Sequence, residues 1–279
     1  MDSENPGSAE IFHYTSLSGL YGIVQSGEMW ATHIKFLNDS EELIHGRELL
    51  RRAILGRLQQ RADYDKLSVL VEQTMGQFEM NVFVACFSRL RDDLSQWRGY
   101  GGESGVSIGF SSMPMCFAVT YADNPTDNRI EWRAKSCIAA IDEFSARFML
   151  TPSSVSSEND PGDDDEILAA LGKMLRDMHP DVFISSVLVK GESFAAENEL
   201  RVVESVPQAN LPTRMRFRVA RGALLPYVAV PLGPPAPLTR VIVGPNPRAD
   251  LVADGIRLLL DAHGLSQVPV ERSTIPYRG

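Results

Sequence analysis

Hydrophobic positions in this chain switch between a helical and a strand period, and the switches mark its elements. Leu17, Leu20, Ile23 and Val24 repeat at helical spacing behind Ser16, a capping residue, and ahead of Gly27, a helix stop. Residues 11–15 before them read as a short strand. Asp39, with Glu42 three positions on, forms a capping-box-like start to a long helix carrying Leu43, Ile44, Leu49, Leu50, Ile54, Leu55 and Leu58. A second helix is expected over 66–80, which makes 39–80 a helical insert. NVFVACFS (81–88) is a buried-strand run, followed by a helical turn over 93–100, a glycine loop, and GVSIGF (105–110) as another strand.

The second half reads differently. Residues 130–147 are expected as a strand turning into a helix, and 166–178 as a helix. Strands follow over 182–189, 199–204, 213–219 and 238–243, and prolines between Pro226 and Pro247 exclude long helices there. Asn246-Pro247 opens a last helix through Leu251, Ile256, Leu259 and Leu260, closed by Gly264, and 268–273 is a terminal strand. Helices come early and strands late, which predicts an α+β fold and not a regular βαβ winding. The expected organisation is a loose tail over 1–10 and a single α+β domain over 11–279.

Charge changes this picture at one place. Of the formal net charge of −9, six acids lie in TPSSVSSENDPGDDDE (151–166), which has no Lys or Arg; −3 remains for the rest. The reading is a nearly balanced body with a mobile acidic loop, which argues against a general nucleic-acid or membrane-surface coat. Cys86, Cys116 and Cys137 are odd in number and lack C-x-x-C spacing, and the five histidines form no ligand pattern, so neither a disulfide framework nor a metal site is expected. There is no cationic start with an apolar stretch and no run of about 18 apolar residues, so the expected compartment is a reducing cytoplasm, with no membrane partner.

Four constellations could carry chemistry. In FAAENELRVV (194–203), Glu197 and Glu199 alternate at strand spacing and are expected on one face, where two carboxylates repel and one titrates high. Such a pair suits stabilisation of a developing positive charge, or it is an exposed face neutralised by Arg201. His13 and Tyr14 sit on a predicted strand before a capped helix; His13 either donates to ribose hydroxyls with its other nitrogen fixed by the backbone, or is a structural histidine. Phe87, Trp97 and Tyr100 form a slot for a flat heteroaromatic ring, with Ser88 and Gln96 as polar contacts, or they pack the core. Arg214, Arg216 and Arg218 alternate with apolar residues, as a phosphate-holding stripe or as the wet face of a strand paired with the glutamate row. Gly99, Gly101, Gly102 and Gly105 read as turns and make no dinucleotide fingerprint.

Through HYTSLSGLYGIVQSGEMW, FLNDSEE, CFSRLRDDLSQWRGYG with GVSIGF, FAAENELRVV and ERSTIPYR, the chain resembles a large bacterial domain-of-unknown-function family. The layout also resembles the ADP-ribosyltransferases. That resemblance implies a mixed or antiparallel β core and an enzyme that cleaves NAD, used as a substrate without a metal. It implies His13, with Tyr14 and Thr15, on the nicotinamide ribose, and Phe87 with Trp97 or Tyr100 flanking the nicotinamide. It implies Ser88 as support, Glu199 as the catalytic carboxylate and Glu197 as its partner. The acceptor is expected to be a nucleic-acid base, a protein side chain or water, in a toxin or defence effector; the H-Y-T start is similar to enzymes that modify DNA bases. A non-catalytic nucleotide- or partner-binding module, or an RNA phosphotransferase, remains open. Phe87 stands where that family usually has Tyr, and the insert over 39–80 is foreign to its smallest members.

Overall fold

The computed structural model describes residues 10–37, 40–76, 81–101, 104–111, 113, 116–147, 172, 174, 184–185, 187–220, 222–234 and 236–276. The acidic segment 151–166, nearly all of the expected helix 166–178, Gly102 and residues 1–9 of the expected tail lie outside them.

β1 (Ile11–Ser16) leads directly into α1 (Leu17–Ser26), and the local chemistry is what the sequence suggests. The Ser16 hydroxyl accepts from the Gly19 amide, and Gly27, in the left-handed region at φ 65°, returns its N–H to Ile23. Leu20, Ile23 and Val24 are buried under the sheet, each worth roughly 1.5–3 kcal/mol of transfer free energy. β2 (Glu28–His33) follows, then α2 (Ser40–Leu58) and α3 (Tyr64–Gly76), before the chain returns as β3 (Val82–Ser88). β4 (Gly105–Phe110), β5 (Cys116–Ala118), β6 (Thr120–Tyr121) and α4 (Asn128–Arg147) come next. The last part holds β7 (Val189–Lys190), β8 (Glu199–Ser205), β9 (Met215–Ala220), β10 (Ala223–Pro231), β11 (Leu238–Val243), α5 (Ala249–Ala262) and β12 (Val270–Arg272).

The fold is α+β. A ten-stranded sheet runs in the order β12-β11-β4-β1-β3-β2-β10-β9, with β8 paired to β3 and β5 alongside β8. Its pairs are antiparallel except β11–β12. The main core lies between this sheet and α1 and α5, while α2, α3 and α4 enclose a second cluster around Leu50, Ile54, Leu70 and Phe144.

Several expectations are corrected. Residues 130–147 contain no strand: Ile130, Ala134, Cys137, Ile141 and Phe144 recur every three or four positions and are all buried, so helical periodicity prevails. The strand expected over 182–189 shrinks to Val189–Lys190, with helical conformation at Ile184, Ser185 and Val187. β9 starts at Met215, and Thr213 and Arg214 belong to a short helical turn, Leu211–Arg214. β2 and β10 were not foreseen.

One irregularity in the sheet matters most. β1 pairs with β4 along its whole length, from Ile11↔Phe110 to Ser16↔Gly105, but meets β3 at the single register pair Phe12↔Ser88. β2 meets the same edge of β3 further down, at Thr32↔Val84 and His33↔Phe83. β1 and β2 thus share one edge of β3 and splay apart over Ala85–Phe87, whose other edge is fully covered by β8.

Candidate functional site

A cleft of about 790 Å³ opens in that split, within the range of about 300–1,000 Å³ usual for small-molecule and cofactor sites. β1, the start of α1, β2 and β3 form its floor and lips. Gln96 and residues 98–101 close one side, Lys190, Glu197, Glu199 and Arg201 another, and the β9–β10 hairpin a third.

His13 spans the apex of the split. Its Nδ1 lies 2.8 Å from the Cys86 carbonyl, on the edge of β3 that no strand covers. A carbonyl only accepts, so Nδ1 carries the proton. Burial, opposed by that hydrogen bond and reinforced by the nearby Arg218 charge, holds the imidazole below its ordinary value of 6.5. At neutral pH the ring is therefore neutral and its Nε2 is an acceptor, which reverses the donor role expected from the sequence.

Glu197 and Glu199 do not alternate on a strand. Glu197 ends a 3₁₀ turn (Glu192–Glu197), Asn198 takes φ 46°, and Glu199 begins β8. Asn198 is the one non-glycine residue with positive φ among the described residues, a conformation that costs on the order of 1 kcal/mol and collects at functional sites. Two contacts hold the turn: Ser88 Oγ donates to the Glu197 carbonyl at 2.6 Å, and the Arg89 amide to the Asn198 carbonyl at 3.1 Å. Tyr121 Oη accepts from the Glu199 amide at 2.7 Å.

Both carboxylates converge on Lys190, whose Nζ lies 2.7 Å from Glu197 Oε2 and 3.1 Å from Glu199 Oε2. Arg201 adds a two-pronged pair, Nε to Glu199 Oε1 at 2.8 Å and Nη2 to Oε2 at 3.1 Å. The expectation that one carboxylate titrates high fails at Glu199. Burial pushes it up, but the Arg201 charge and hydrogen bonds, with Lys190 behind them, outweigh that and hold it below 4.5. The Cys86 thiol turns onto the same carboxylate; burial, then the Glu199 charge, pushes the thiol up so that it stays protonated.

The aromatic slot is only partly realised. Phe87 lines the cleft from the core, tilted against His13 at 5.5 Å between centroids. Tyr100 lines it from a single π-helical turn, Trp97–Gly101, a geometry often found at functional sites. Burial, with the Glu197 and Glu199 charges added, raises the Tyr100 phenol, which remains a donor. Trp97 is turned away. It packs edge-on against Tyr14 and donates Nε1 to Asp92 at 2.8 Å, since an indole N–H inside protein must find an acceptor. Ser88, spent on Glu197 and Leu90, does not line the cleft either. Tyr14 lines the cleft while its hydroxyl bridges Leu90 and Asp93, and burial raises the phenol to about 12. Thr15 and Gln96 line the wall.

The arginine stripe dissolves. β9 pairs with β10 and not with β8, so the arginines do not face the glutamates. Arg214 lies off the strand, 3.5 Å from Glu204, and Arg216 is bound to Glu28 at 2.9 Å. Arg218 alone of the three lines the cleft, donating to Thr32 Oγ1 at 2.9 Å with its guanidinium over the Trp30 ring. Trp30 and Thr32 belong to β2, which the sequence reading passed over; the Met29 and Ala31 alternation was the available signal.

Among the described residues no cluster of three or more His, Cys, Asp or Glu side chains could hold a metal, and no helix is long and apolar enough to cross a membrane. Compared with known proteins, the chain matches no family model, no curated protein and no solved structure.

Proposed function

We propose that this cleft binds NAD and cleaves its nicotinamide–ribose bond, transferring ADP-ribose to a nucleic-acid base, a protein side chain or water. The observation that carries the reading is the split of β1 from β2 along β3. It brings His13, Tyr100, Glu197 and Glu199, three chain segments far apart in sequence, to one cleft.

In this reading the glycosidic C–N bond breaks and its electron pair leaves with nicotinamide, whose ring nitrogen becomes neutral. The ribose C1′ becomes oxocarbenium-like, as in glycoside hydrolysis. A nucleophile then bonds to C1′ and its proton passes to solvent. A carboxylate beside the ribose lowers the energy of the charged state more than that of the ground state. His13 Nε2 accepts from a ribose hydroxyl, and Tyr100 and Phe87 border the nicotinamide. Lys190, Arg201, Arg218 and Arg98 outnumber the two glutamates around the cleft, which favours a pyrophosphate.

The resemblance to ADP-ribosyltransferases gives the catalytic part to Glu199, yet Glu199 is held by two cations. That tie favours a second reading, a non-catalytic nucleotide-binding module. The test is nicotinamide release from NAD by the purified protein, alone and with DNA, RNA or protein added. Release supports the enzyme; a melting temperature raised by NAD without any release supports the binding module.

A further inference from the structure

We propose that Glu197, and not Glu199, is the carboxylate that touches the ribose in the NAD-cleaving reaction, and that Glu199 is a positioning residue. This rests on the NAD reading above.

The argument is an account of lone pairs. A carboxylate offers about four acceptor positions. Glu199 uses Oε1 on Arg201 Nε, and Oε2 on Arg201 Nη2 and Lys190 Nζ, while the Cys86 thiol adds a fourth contact. Its side chain is 7 % exposed, so turning Glu199 to a substrate would break the two-pronged pair with Arg201 inside the protein. Glu197 is placed differently. Its Oε2 accepts from Lys190 at 2.7 Å, its Oε1 accepts no hydrogen bond among the described residues, and its side chain is 21 % exposed in the cleft wall.

The surroundings fix that open oxygen. Lys190, its side chain 2 % exposed, clamps Oε2 and thereby the rotamer. Ser88 and the left-handed Asn198 fix the backbone at the C-terminal end of the turn. Glu199, itself anchored by Arg201, holds Lys190 in place, so the buried ion cluster orients one carboxylate without consuming it. In the reaction Glu197 Oε1 accepts a hydrogen bond from a ribose hydroxyl while the C1′–N bond breaks and nicotinamide leaves with the electron pair.

The test compares wild type with Glu197→Gln, Glu197→Asp and Glu199→Gln by nicotinamide release and thermal melting. Glu197→Gln is expected to lose about 100-fold or more in kcat while staying folded, with a smaller fall in melting temperature than Glu199→Gln because Lys190 keeps Glu199, and Glu197→Asp to recover part of the loss in kcat. Glu199→Gln is expected to lower the melting temperature and to cost less kcat than Glu197→Gln. Glu197→Gln turning over within about fivefold of wild type overturns the assignment whether or not Glu199→Gln folds. So does Glu199→Gln melting like wild type while losing more kcat than Glu197→Gln. No release by wild type with any acceptor removes the NAD reading itself, and this assignment with it.

Discussion

At the scale of single residues, the balance between burial and charge decides how the cleft titrates. His13 is depressed by burial and Glu199 by Arg201 and Lys190 against burial, so in both cases the unfolded chain binds protons more readily. Their stability contributions are complete above 6.5 and 4.5 respectively and are lost as pH falls through the lower folded values. His33, also depressed by burial, adds to the upper window. Melting temperature is therefore expected to fall with acid in two stages, the first starting near pH 6.5, and His13→Gln to shrink the first stage without abolishing it. A pH series of thermal melts checks this; a profile for His13→Gln identical to wild type contradicts the buried neutral imidazole. Removing the Glu199 charge breaks its buried ion pair with Arg201, and the loss expected from such a broken pair is about 3–5 kcal/mol, readable in a urea titration. The glutamate spacing was visible in the sequence, but its geometry was not. An extended backbone through 197–199 puts both carboxylates on one face, and the left-handed turn at Asn198 replaces that arrangement.

At the scale of elements, local rules worked where an element carries its own punctuation. α1 was readable from Ser16 and Gly27, and β3, β4 and β11 from their apolar runs. They failed where a partner decides. β10 contains Pro226, which argues against a central strand, yet Pro226 sits one residue before pairing with β2 begins at Tyr227↔Thr32, so that edge is open there. Trp97 reads as a cleft aromatic because nothing local announces its acceptor; Asp92 receives its indole N–H together with Ser273 Oγ and the Thr274 amide and hydroxyl. This carboxylate joins the 92–101 turn to the C-terminal segment, which accounts physically for the ERST stretch. Gly244 lets Trp97 close over it, since a Cβ there would lie 2.9 Å from the indole. Asp92→Ala is expected to cost about 1–3 kcal/mol, the penalty for a buried donor without an acceptor. Thermal melting and faster proteolysis of the C-terminal segment check it; a variant as stable and resistant as wild type contradicts the clip.

At the scale of the whole molecule, the cleft exists only because distant segments meet. Its floor comes from β1 to β3, its ion-paired wall from residues 190–201 and its basic lip from β9, so no window of sequence contains it. The α+β class was visible in the order of the elements, whereas the split sheet depends on registers that no local pattern states. The arginines illustrate the difference: identical spacing, but Arg218 faces the cleft and Arg216 is neutralised by Glu28 at the exposed edge. Arg218→Ala is accordingly expected to weaken NAD binding by about 10- to 100-fold, the loss of a hydrogen bond to a charged group, and Arg216→Ala to leave it nearly unchanged. Titration calorimetry distinguishes the two, and equal losses at both positions contradict this placement.

The most direct measurement is the amount of free nicotinamide produced from NAD by the wild-type protein beside Glu197→Gln. Steady release by wild type, reduced about 100-fold or more in a variant that is still folded at the assay temperature, is the predicted result. No release by wild type in the presence of DNA, RNA or protein acceptors, with the chain folded, contradicts the account.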